Sequence, residues 1–293
     1  MSIHKYTILM KVVELGSLTK AADVLGFTQS GVSHAISSLE EELGFTLLLR
    51  GRSGVRLTSN GEQLLKPIRE MLNWNEQLKQ VAASIHGLET GTVRIGTFTS
   101  VSVHWLPQMI KEFQKQYPRV EFKLMEGDYE EIENWIAEGQ VDCGFITIPS
   151  REAFDVYPLR KERMLAIVSV EHPLGHLPYF PLAQVESESF IVPREGSDYD
   201  VRRIMEKASL KPNIMFSSKD DYAIIAMVEN GLGVSILPEL VLQGRAQHVH
   251  CMELDVPSYR FLGIAVHTMK DASPATRHFV RHVQQWLETT VTP

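Results

Sequence analysis

The chain of 293 residues has little cysteine: Cys143 and Cys251 are its only two. Two thiols so far apart form no disulfide framework, so the fold rests on packed cores and fits a reducing compartment. No run of about 18 apolar residues occurs, which excludes a membrane-spanning helix. The start Met1-Ser2-Ile3-His4-Lys5 lacks the apolar core of a secretory leader, and a soluble cytoplasmic protein is expected. Catalytic signatures are also missing. There is no Gly-x-Ser-x-Gly elbow, no Walker-type phosphate loop and no His-Glu-x-x-His helix, so no enzyme is expected. Cationic excess is absent too, because the net charge is −7. Within residues 1–90 nine Lys and Arg balance nine Asp and Glu, leaving the whole excess in residues 91–293. Charge alone therefore points away from a polyanion partner, and any such partner must be met by a local cluster of cations.

What is present begins with residues 16–43. Ala21, Ala22 and Leu25 mark a short helix whose small residues let a neighbour approach closely. Gly26 suits the left-handed turn that ends it, and Thr28 can cap the next helix. There Val32, Ile36 and Leu39 share one face. Gln29, Ser30, Ser33, His34 and Ser37 fill the opposite arc, with short hydrogen-bonding groups suited to base edges in a major groove. Taken alone, this pattern also fits a packed helical hairpin with a solvated serine face. A Gly/Ser-rich loop follows, carrying Arg50, Arg52 and Arg56 where a wing would meet phosphates.

With Gly16-Ser17-Leu18, Leu39-Glu40, Leu43-Gly44, Leu57-Thr58 and Gly61 at matching spacings, the segment closely resembles the winged helix-turn-helix of LysR-type transcriptional regulators. The resemblance implies Ser17, Thr28, Gln29, Ser30, Ser33, His34, Ser37, Arg50, Arg52 and Arg56 as DNA-contacting residues. It also implies double-stranded promoter DNA as a partner, a small-molecule effector, self-association as a dimer or dimer of dimers, and contact with RNA polymerase.

Residues 59–87 read as one helix in which Leu64, Met71, Leu78 and Ile85 recur every seven positions, with Trp74, Val81 and Leu88 three behind. This heptad seam fits dimerisation, and Pro67 is expected to bend or fray it. From residue 91 strands alternate with helices of 10–12 residues, an α/β pattern. The fold expected is therefore α/β overall: an all-α winged helix-turn-helix over 1–58, a linker helix, and a two-lobed, periplasmic-binding-protein-like effector domain over 91–293. Lobe I is expected at 91–162 and 267–293 and lobe II at 163–266, with hinge crossings near Lys161–Met164 and Ala265–Thr268.

Ligands in such sheets sit beyond strand ends, near helix N-termini. Thr99, Ser100 and Ser102, which the resemblance also places in the effector cleft, follow the first strand. Thr147, Pro193, Arg194 and Ser217 end later ones. Hydroxyls beside free helix amides suggest an anionic metabolite. His248, His250 and Cys251 could in principle approach a metal, but without a fourth ligand neither metal nor cofactor is expected. A solute-binding protein without DNA function and a thiol-based redox sensor are the alternatives. Cys143 lies in an apolar strand, where a thiol is inert.

Overall fold

The computed structural model describes residues 2–51, 54–85, 90–194, 196, 198–244 and 247–290. Arg52 lies outside them. The chain divides into two compact units on either side of the Ala82–Ala83 bond.

The first unit opens with helices α1 (Ile3–Leu15), α2 (Leu18–Leu25) and α3 (Gln29–Leu43). A hairpin of β1 (Leu48–Gly51) and β2 (Gly54–Leu57) follows, and α4 (Ser59–Ile85) leads out. Each boundary has a local cause. Gly16 and Gly26 adopt φ of 61° and 70°, ending α1 and α2. Thr28 Oγ1 accepts from the Gly31 amide at 3.1 Å and starts α3. Ala21 and Ala22 are buried with Val12, Val32, Ile36 and Leu39, so the small residues of α2 do admit its neighbours closely. Glu40 Oε1 then accepts from the Leu47 and Leu48 amides at 2.7 and 3.1 Å, tying the hairpin to α3. Gly54, at φ 109°, passes so near the α1–α2 turn that a Cβ would lie 2.7 Å from the Gly16 carbonyl. Val55 donates to that same oxygen at 2.9 Å.

Helix α4 runs through Pro67 without a break, so the proline does not fray it. Leu64, Ile68 and Met71 on either side pack into the core of the first unit, and this burial offsets the one backbone bond a proline removes.

The second unit is built on one sheet with strand order β10-β6-β11-β5-β3-β4, β9 adding to β6. Strands β3 (Thr90–Thr97), β4 (Arg119–Glu126) and β5 (Cys143–Thr147) are parallel to one another; β11 (Tyr259–Val266) is antiparallel to β5. Around them pack α5 (Thr99–His104), α6 (Leu106–Gln116), α7 (Tyr129–Ala137) and α11 (Pro274–Thr290). Phe113, Phe145, Ile264 and Phe279 are fully buried there. The 15-residue strand β6 (Asp155–Ser169) carries the chain into a second lobe. It pairs with β11 as far as Arg163 and with β9 (Ser235–Pro238) from Met164. That lobe adds β7 (Phe190–Pro193), α8 (Tyr199–Ala208), β8 (Ile214–Ser218), α9 (Asp221–Glu229), α10 (Glu239–Leu242) and β10 (Val249–Met252), with cores of its own.

The return crossing lies elsewhere than expected. Strand β11 joins the first lobe's sheet from Tyr259 onward, so the chain recrosses within residues 255–258, ahead of Ala265–Thr268. Leu262, Ile264, Ala265 and Val266 are buried in the first lobe's core. An apolar strand reads the same in sequence whichever sheet it joins. Among the described residues, no helix is long and apolar enough to cross a membrane.

Candidate functional site

Two regions carry the predicted site residues. On α3, Gln29, Ser30, His34 and Ser37 are exposed and Ser33 is half-buried, opposite buried Val32, Ile36 and Leu39. Arg50 reaches from β1 across this arc, its Nη1 donating to Ser33 Oγ at 2.8 Å and its Nη2 to Ser37 Oγ at 3.5 Å. The hairpin is thus clamped onto α3, and the guanidinium lies over the helix face. Arg56 on β2 is exposed. Ser17 and Thr28 have structural duties, capping α2 and α3 by accepting from Lys20 and Gly31. Thr28 Oγ1 also lies 3.1 Å from Ser30 Oγ.

In the second unit a cavity of about 570 Å³ opens where α5, α7, α8, α9 and α10 begin. At its base sits Arg260, only 1% exposed. Its Nε and Nη2 donate to buried Glu162, its Nη1 to Tyr129 Oη at 2.6 Å and its Nη2 to Ser100 Oγ at 3.1 Å. Phe98 lies beside the guanidinium, 5.3 Å from its carbon. Apolar wall is supplied by Phe98, Val103, Met164, Val201, Ile236 and Leu237.

The charged wall is acidic. Among the described residues, Glu126, Asp128, Glu131, Asp200, Asp220 and Asp221 line the cavity against two cations, Lys219 and Arg260. Asp128 and Asp220 cap their own helices, accepting from Glu131 N at 2.8 Å and Tyr222 N at 2.9 Å. Lys219 Nζ lies 3.3 Å from Asp128 and 3.8 Å from Glu131. Asp200 is 3% exposed, and burial pushes its carboxyl above the usual range despite Arg260 and Arg203. Its Oδ1 lies 3.5 Å from Arg203 Nη2, while its Oδ2 is buried with no hydrogen-bond partner. Burial also raises Asp221, to about 6, and lifts the Tyr129 hydroxyl above its ordinary value.

Of the effector residues read from sequence, Thr99 and Pro193 line this cavity. Ser100 stands behind it, holding Arg260. Ser102 instead donates to Thr97 Oγ1 at 3.2 Å. Thr147 faces a neighbouring space of about 20 Å³ beside Tyr129 and Tyr199. Arg194 and Ser217 are exposed and off the cavity wall. Of the seven side chains named from strand ends, the structure thus brings Thr99 and Pro193 to the cavity wall and places the others off it. Tyr129, Asp200, Asp221 and Arg260 also line the cavity and were not singled out from the sequence. The signal available was acidic residues at three successive helix starts; nothing near Arg260 in sequence marks it.

Both thiols are raised by desolvation, Cys143 fully enclosed in β5 and Cys251 exposed on β10. Neither is a ready thiolate, which disfavours a redox sensor. Among the described residues, no group of three His, Cys, Asp or Glu is placed to hold a metal ion.

Comparison with known families gives two matches. Residues 3–62 match the family described as bacterial regulatory helix-turn-helix protein, lysR family, and residues 86–288 match the LysR substrate binding domain. The uncharacterized HTH-type transcriptional regulator YvbU of Bacillus subtilis (strain 168) is 35% identical over 288 residues, covering 97% of this chain and 98% of its own. Among solved structures, a full-length OxyR variant from Pseudomonas aeruginosa superposes with TM-score 0.78 at 20% identity, covering 99% of this chain and 95% of its own. Full-length CbnR complexed with its target DNA gives TM-score 0.70 at 20% identity, covering 97% and 99%.

Proposed function

The chain belongs to the LysR family of DNA-binding transcriptional regulators, and from that membership we propose that α3 reads a major groove while a small molecule in the acidic cavity sets the activity. It is a regulator with an effector-binding domain, not an enzyme. The observation that carries the reading of α3 is its polar arc with Arg50 clamped over it. That arrangement presents Gln29 and His34 beside a fixed cation, amide and imidazole groups for base edges with a guanidinium for a phosphate. Such a protein works where DNA is, in the cytoplasm. The first unit carries nine Lys and Arg against eight Asp and Glu, too small a cationic excess for one copy, so tight binding requires two or more copies joined along α4. RNA polymerase is the further partner this role implies.

An anionic effector fits the cavity poorly. Two of the helix starts at the cavity, those of α7 and α9, are already capped by Asp128 and Asp220 of the chain itself, and acidic side chains outnumber cations on its wall.

The test is fluorescence anisotropy on DNA from upstream of the protein's own gene, at several salt concentrations. Affinity should fall steeply and linearly on a log–log plot. Gln29→Ala should relax preference at one or two base pairs, and Arg56→Ala should weaken all sequences alike and lower the salt slope by about one. Binding that ignores both salt and sequence, alongside retained small-molecule binding, would favour a solute-binding protein instead.

A further inference from the structure

We propose that the cavity takes an organic cation, a primary ammonium or guanidinium joined to a small apolar body, with Asp200 and Asp221 as its counter-ions. The assignment rests on the reading of the cavity as an effector site and goes beyond it by naming the ligand's charge.

Three independent observations carry it. First, Arg260, the cation at the cavity base, has its donors committed. Nε and Nη2 are held by Glu162, Nη2 also by Ser100, and Nη1 by Tyr129. At most one N–H is left for an incoming carboxylate, too few for the bidentate pairing that makes arginine a carboxylate receptor. Lys219, the other cation, is engaged by Asp128 and Glu131. Second, Asp200 Oδ2 belongs to a cavity-lining side chain only 4% exposed and makes no hydrogen bond, the carboxyl's other neighbours being Arg203, 3.5 Å from Oδ1, and the Tyr129 hydroxyl. A buried carboxylate oxygen without a donor is costly, and an ammonium or guanidinium supplies what it lacks. Third, Asp221 lines the same cavity from the first turn of α9, with its neighbour Asp220 already satisfied as the helix cap. Asp221 thus stands over the cavity with no ion pair among the described residues, and Asp200 has only Arg203, at 3.5 Å from one of its oxygens. Around them Met164, Val201 and Leu237 give a surface for a hydrocarbon body. A volume of about 570 Å³ lies within the usual range for small-ligand sites.

The full chain would be tested by calorimetry and thermal shift with phenethylamine and agmatine, against 3-phenylpropionate and 2-phenylethanol. The amines should bind and raise the melting temperature, with the carboxylate and the alcohol bound at least tenfold more weakly. Asp200→Asn should cut amine affinity about tenfold to a hundredfold while melting no lower than the parent without ligand. A purely structural role for Asp200 would instead lower that melting temperature and leave amine affinity unchanged. Asp221→Asn provides the same comparison should the first variant fold poorly. The proposal is overturned if the carboxylate binds in preference to the amines, if no amine binds at millimolar concentration, or if amine binding survives both substitutions. DNA affinity measured on the same samples separates the two failures. Intact DNA binding without amine binding sinks only the ligand class, whereas lost DNA binding in the parent protein sinks the regulator reading itself.

Discussion

Asp221 shows how a single carboxyl couples the cavity to pH. Burial raises it from 3.8 to about 6, with Arg260 opposing the shift. The folded state therefore holds this proton more tightly than the unfolded chain does. The ionised carboxyl is a liability that is fully present above pH 6, shrinks as pH falls toward 3.8, and is absent below that value. Replacing it should be informative for that reason. Asp221→Asn is expected to raise stability by on the order of 2 kcal/mol at about pH 8 and to give no gain at about pH 4. Urea unfolding of both proteins at the two pH values checks the sign. A gain of equal size at both would show that ionisation is not the cause. At this same scale the reading of α3 was legible in sequence, because Gln29, Ser30 and His34 are defined by spacing alone. The Arg50 clamp was not, since Ser33 lies 17 positions away and only the fold brings the two together.

Among the elements, α4 divides its own heptad seam. Leu64 and Met71 pack into the first unit, whereas Trp74, Leu78, Val81 and Ile85 are 54%, 68%, 39% and 78% exposed. A bare apolar stripe of this kind, on a helix whose earlier turns already have a partner, is what a second copy of the chain would cover. Leu78→Asp is expected to raise the dimer dissociation constant by at least about a hundredfold, since each of two copies loses a buried leucine worth about 1.5–3 kcal/mol. Sedimentation velocity reads the outcome, and an unchanged dimer would remove α4 from the interface. The melting of the first unit's core should be unaffected, because the side chain touches none of it in the single chain. Period seven was visible in the sequence. Which half of it the protein itself buries depends on where α1–α3 end their own core.

At the scale of the whole molecule, a cavity ligand can act on DNA only by favouring one state of the chain over another. The coupling is then reciprocal. If a bound amine changes DNA affinity by a factor between about 5 and 150, saturating DNA must change amine affinity by the same factor. Paired titrations, DNA with and without phenethylamine and the reverse, test this. A change in one direction alone would mean that the two bind different species of the protein.

Residues 16–61 specified their own local structure, because caps, left-handed glycines and a four-and-three apolar spacing act between near neighbours. The alternation of strands and helices after residue 91 was equally readable, since periodicity is local. Tertiary structure alone decided that β11 serves the first lobe and that Pro67 leaves α4 intact. It also decided that Tyr129, Ser100, Glu162 and Arg260 meet at the cavity base, up to 160 positions apart in the chain. The charge of the cavity belongs to this second class. Each aspartate looks in sequence like an ordinary helix start, and only their convergence, with Arg260 already engaged, sets the sign of the ligand they can hold.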